Sequence, residues 1–218
     1  MKGIIILTKC LSLLKNTNKT KISVTIVSLI SIILIIRFFS LINHYSVNLL
    51  FWDQWMLYDP FFRELDFWEI FTWQHGPPRM GIGSLLTKIL ADFSNWNVRV
   101  ECFAIGVVLV VDMILAMMLN YSLQKDISIT DIVIPSMMLT PAQHFIFDYA
   151  PNISYSVLPL FLILLYCFGW MLSNRICKYS VVLILNFFSI FTCFAFFIGL
   201  ITPVLLFFES FFLYKLKK

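Results

Sequence analysis

An aspartate held between tryptophans, Trp52-Asp53-Gln54-Trp55, is followed along the chain by His75-Gly76-Pro77-Pro78-Arg79. A carboxylate such as Asp53 can take the proton of an attacking hydroxyl, and the planar guanidinium of Arg79 can meet two phosphate oxygens at once. Tryptophan favours the membrane–water boundary because its ring is apolar and its indole N–H is polar, so Trp52 and Trp55 set Asp53 at headgroup depth. His75 and Arg79 stand four residues apart at the mouth of an expected helix, whose first backbone N–H groups also favour anions. Farther on, Gln143, His144 and Asp148 follow a later apolar run and could close a second wall of an outward-facing cavity. Each group also has a plainer account: an interfacial tryptophan belt with an incidental acid, a turn with a solvated arginine, an ordinary polar loop.

These residues need a frame, and the composition says which kind. Of 218 residues, 60% are hydrophobic and only 13% charged, and mean hydropathy is +0.89. A soluble domain carries about twice that share of charge. The net charge of +4 does not point to nucleic acid, because the basic residues collect at the ends of apolar runs, where they act as topology signals. Five cysteines without a CxxC pair, most of them inside apolar runs, suggest neither a disulfide framework nor a zinc site.

Six membrane spans are expected: Ile22 to Ile42, Glu101 to Leu119, Asp131 or Ile132 to about Phe145, Tyr155 to Leu172, and two cut from the tract Tyr179 to Tyr214. As one helix that tract would be about 54 Å long, against a hydrocarbon core of about 30 Å, so it should fold back near Ala195 to Gly199. Pro135 and Pro141 make the third span the weakest. With both termini cytosolic, eleven basic residues fall inside and four outside (Arg63, Arg79, Lys88 and Arg99), while eight acidic residues fall outside and two inside. The expected fold is therefore an all-α, multi-pass transmembrane helical bundle. Residues 1–21 form a basic cytosolic segment, 22–218 the membrane domain, and 44–99 an outer loop that carries the candidate site.

That loop should be built from two amphipathic surface helices. The first starts at Asp59-Pro60 as cap and first residue, with Phe61, Leu65, Trp68 and Phe71 on one face. The second runs from Pro77-Pro78 to Phe93, with Ile82, Leu85, Leu86, Ile89 and Phe93 on one face and a Lys88–Asp92 pair on the other.

In this order of parts the chain resembles the N-terminal portion of the GT-C-type integral-membrane glycosyltransferases. Asp53 looks like their acidic position in the first outer loop, and His75 with Arg79 looks like their His…Arg element. The chain departs from them at Pro77 and Pro78, where members often carry an acidic residue, and in span number. The resemblance implies a transferase that moves a sugar from a polyprenyl-phosphate donor to a glycan or lipid acceptor at the outer face of the cell membrane. It implies Asp53 as the catalytic base and Trp52, Gln54, His75, Arg79 and Gln143 as substrate-binding residues, and it leaves a divalent metal open as cofactor. Membrane lipid is an expected partner, and so is a further subunit completing the bundle, since the chain ends at Lys218 where members continue. The rival from another class is a non-catalytic membrane protein: a small transporter, a flippase-like component or an assembly subunit. Transporters tend to show paired repeats and charge near the bilayer midplane. Here no repeat is found and the charges gather at the outer interface.

Overall fold

The computed structural model describes residues 2–144 and 152–216, and among them 3-10, α and π turns are the only regular elements. Helix α1 (Lys2–Tyr45) is followed by two short helices, α2 (Gln54–Phe62) and α3 (Phe67–Thr72), and then by α4 (Gly81–Ser94) and α5 (Val98–Gln124). After a run of short pieces come α7 (Leu158–Trp170), α8 (Arg175–Ile190) and α9 (Phe197–Leu216); α6 is the short helix Val133–Met138. Among the described residues, four stretches are long and apolar enough to cross a membrane: Lys21–Tyr45, Val98–Gln124, Ile153–Trp170 and Cys193–Phe212. Helix α8, at 16 residues, rises about 24 Å and falls short of a bilayer core.

The final tract does fold back, at residues 191–192 rather than deeper in. Helices α8 and α9 then lie antiparallel, with Lys178 Nζ donating to Glu209 Oε1 at 3.0 Å, Thr202 Oγ1 bonded to Asn186 Oδ1 at 2.8 Å, and Ile190 packed against Gly199. Tyr166 on α7 joins the same polar node through the Thr202 hydroxyl at 2.7 Å. A bond of that kind is favoured in lipid because an unmade one has no water to replace it.

The third expected span is not a continuous helix over its described part. It opens with a 3-10 turn at Ile129–Ile132, where Ser128 and Asp131 form a reciprocal capping box, continues as the six-residue α6, and breaks at Thr140. Thr140 is extended (φ −75°, ψ 137°) because a residue preceding proline is disfavoured in the helical region. The expected end at Phe145 lies outside the described residues, as does Asp148. Before α7 the backbone widens into a π turn, Ile153–Val157. Pro159 explains it, since a proline ring clashes with the carbonyl four residues back and frees it from the usual ladder.

The first loop also differs in detail. The single helix expected from Asp59 is two helices, with Pro60 inside α2 and a left-handed Glu64 (φ 53°) between them. Asp66 wins the capping role: its side chain accepts from Glu69 N at 2.8 Å while Glu69 Oε2 accepts from Asp66 N at 3.0 Å. Helix α4 begins at Gly81, after the prolines. The expected Lys88–Asp92 pair forms at 2.7 Å. Its inward face is however made of Gly81, Gly83, Ser84, Thr87 and Ala91, and Ile89 and Phe93 are exposed. Small residues let backbones approach in an apolar medium, where there is nothing to gain by hiding leucine from lipid.

Gly81 has φ +53°, and a Cβ there would stand 2.1 Å from the Phe191 carbonyl oxygen; Gly76 has φ +66°, but a Cβ there would meet only Pro78 Cδ, at an ordinary contact distance of 3.9 Å. Gly81→Ala should therefore destabilise the protein by more than about 2 kcal/mol, and Gly76→Ala by about 1 kcal/mol. Thermal unfolding of the two variants in detergent checks the order, which should not reverse.

Candidate functional site

Asp53 ends the turn leading into α2. The residue is half-buried, and its carboxylate makes no hydrogen bond or ion pair among the described residues. The turn around it is fixed. Trp52 adopts a left-handed conformation (φ 54°), and the Gln54 side chain folds back so that its Oε1 accepts from Phe51 N. Gln54 is thus buried and already engaged, while Trp52 and Trp55 are exposed, as an interfacial pair would be.

The second motif is a tight antiparallel turn. Gln74 bridges to Arg79, His75 N donates to Pro78 O at 3.2 Å, Met80 N donates to Trp73 O at 2.9 Å, and Gly76 supplies the left-handed corner. Pro77 and Pro78 belong to this turn and not to the helix. Arg79 is partly committed: its Nη1 donates to Thr72 O at 2.7 Å and its guanidinium lies 5.8 Å from the centroid of the Phe191 ring. Five N–H donors leave the remaining ones for an anion. The start of α4 is also partly used, since Ile82 N reaches Thr192 Oγ1 at 3.4 Å.

His75 does not stand alone. Its Nδ1 is hydrogen-bonded to the hydroxyl of Tyr155, which projects from the π turn. In the sequence Tyr155 reads only as the first residue of a span, and nothing but Pro159 signals the widened turn that presents it. Gln143 is exposed, and its backbone N–H closes a turn to Thr140 O at 3.2 Å. The structure brings His75, Arg79 and Tyr155 to one turn. No hydrogen bond or ion pair among the described residues joins that turn to Asp53 or Gln143. The link to Asp53 is apolar, through Leu57, Tyr58 and Phe61 of α2, which share a cluster with Met80.

A further pair went unread. Tyr58 and Glu101 are both fully buried, and the phenol donates to Glu101 Oε1, tying α2 to the first turn of α5. Burial, reinforced by the Glu101 carboxylate, pushes the Tyr58 phenol well above its ordinary value. Among the described residues no group of three or more His, Cys, Asp or Glu stands close enough together to hold a metal ion.

The shift of Tyr58 has a direction that can be measured. A folded-state value raised above the unfolded one means that its stabilisation is complete below pH about 10 and is lost progressively above it. In an alkaline titration followed by tyrosinate absorbance, one of the eight tyrosines should ionise only with unfolding, and that late step should vanish in Tyr58→Phe.

No protein-family model matches the chain, and no curated protein or solved structure is similar enough to it to count as a match.

Proposed function

We propose that this chain is a membrane glycosyltransferase, or the N-terminal portion of one, that moves a sugar from a polyprenyl-phosphate donor to an acceptor hydroxyl at the outer face of the cell membrane. The observation that carries this is the placement of Asp53. It is a half-buried residue whose carboxylate has no internal partner among the described residues, on a rigid turn just beyond the first apolar helix. The acceptor oxygen would attack the anomeric carbon as Asp53 takes its proton, and the bond to the phosphate oxygen would break with its electron pair leaving on the phosphate. The free donors of Arg79 would offset that charge, an electrostatic role that often supplies much of a transfer rate. His75, fixed by Tyr155, would orient the donor.

In the topology we propose, both termini are cytosolic, the chain crosses six times, with α8 and the interrupted stretch at 129–143 as its two shorter crossings, and α2 to α4 lie on the outer surface. Exposed Trp52, Trp55, Phe62, Phe67, Trp68 and Phe93 would be their contact with lipid. A second reading, a non-catalytic assembly subunit, is favoured by the use of Arg79 in holding its own turn.

Asp53→Asn removes the base and keeps the shape. It should lower sugar transfer at least about 100-fold with folded protein retained, in membranes of a strain lacking the gene and complemented with each variant. Full activity would sink the mechanism. For topology, a cysteine at Glu64 should react with an impermeant thiol reagent on intact cells and one at Asp126 should not; the reverse pattern overturns the orientation.

A further inference from the structure

We propose that Glu101 is a positioning residue which, through Tyr58, sets where Asp53 stands; this rests on the assignment of Asp53 to the transfer step. Helix α2 has nine residues, too few to be stable alone. Its apolar contacts through Leu57, Tyr58 and Phe61 fix which face is buried. Apolar contact is non-directional, however, and tolerates sliding. The polar attachment is directional. The Tyr58 hydroxyl donates to Glu101 Oε1 in a site from which solvent is excluded on both sides, and Glu101 Oε2 has no partner at all among the described residues.

Such an arrangement is a poor way to gain stability. A buried carboxylate with one oxygen unpaired costs more than a leucine in its place, so the pair is better explained by the orientation it specifies. Tyr58 is five residues from Asp53, about 7.5 Å along the helix axis. Any shift or rotation of α2 therefore reaches Asp53 almost undiminished. The other end of the pair is equally firm: Glu101 lies in the first turn of α5, which Asn97 caps through Arg99 N at 3.1 Å and Asn48 braces through Val98 N at 2.9 Å. Arg99 also reaches back to the Asn43 carbonyl of α1 at 3.0 Å. Asp53 is thereby referenced to the two helices, α1 and α5, that bracket the loop.

The test separates position from packing. Glu101→Gln keeps an acceptor for the phenol and should retain at least half of the wild-type kcat. The apolar pair Tyr58→Phe with Glu101→Leu removes the bond without leaving an orphan, so it should fold to a similar yield. Its kcat should nevertheless fall tenfold or more with KM changed less than about twofold. Independently of activity, spin labels at Asp53→Cys and at Leu123→Cys, an exposed position at the far end of α5, should give a narrow distance distribution that broadens or shifts in the double variant. The labels go into a chain whose exposed native cysteines are replaced. An unchanged distribution overturns the proposal. A distribution broadened in the double variant, together with a wild-type protein that transfers no sugar, would leave the positioning intact and remove the transferase assignment instead.

Discussion

The contact between the first loop and the break separating α8 from α9 is the constraint on which the rest of the arrangement depends. Thr192 donates its hydroxyl hydrogen to Phe188 O at 2.8 Å and offers the same oxygen to Ile82 N, while Cys193 N donates to Arg79 O at 2.8 Å. Gly81 is what lets these backbones meet. Around them Phe71 packs on Phe187, Phe188 and Phe191, and Trp68 on Phe191. Each such hydrogen bond contributes about 1 kcal/mol and each ring pair a comparable amount. The larger consequence is geometric: α3, the His75–Arg79 turn and the start of α4 are all referenced to one point on the last hairpin.

That point is invisible in a sequence, because it joins residues more than a hundred positions apart and its decisive members, Gly81 and Thr192, have no distinctive pattern. What could be read was local. The apolar runs that became α1, α5, α7 and α9 announce themselves by length and charge, and the Lys88–Asp92 pair follows from helical spacing alone. The third expected span is interrupted as a helix at Thr140 and at Ser128–Asp131, where local capping and a proline outweigh a moderately apolar composition. The helix expected from Asp59 failed because two capping signals compete within eight residues, and the reciprocal one at Asp66 satisfies two backbone N–H groups where Asp59 would satisfy one.

The candidate site divides in the same way. Asp53 and the His75–Arg79 turn were legible because carboxylate, tryptophan, histidine and arginine in a wet loop are chemically conspicuous. Tyr58, Glu101 and Tyr155 were not. Each looks in the sequence like an aromatic helix residue or an end-of-span charge, and only folding brings Tyr58 to Glu101 and Tyr155 to His75. Periodicity also gave only part of the packed face of α4: Ile82, Leu85 and Leu86 do pack against the core, Ile89 and Phe93 do not, and the most deeply buried positions are the small ones. A pattern of leucine and isoleucine marks the buried side only when water lies opposite it; beside lipid the tighter, smaller face is the one that packs.

Burial of polar groups shows where this chain accepts a cost. Besides Glu101, Asp112 is fully buried near the middle of α5, and neither of its carboxylate oxygens has a partner among the described residues. Asp112 sits between Leu109 and Met113, which belong to the main apolar cluster with Phe38 and Ile42 of α1. The two acids lie eleven residues apart on one helix, about 16 Å, so they act separately. Glu101 has a tyrosine to hold and a loop to orient. Asp112 has neither, and its surroundings give it nothing to position. A carboxylic group in such a place weakens the packing of α1 against α5, because neither oxygen recovers in the apolar cluster the hydrogen bonds that water would give it.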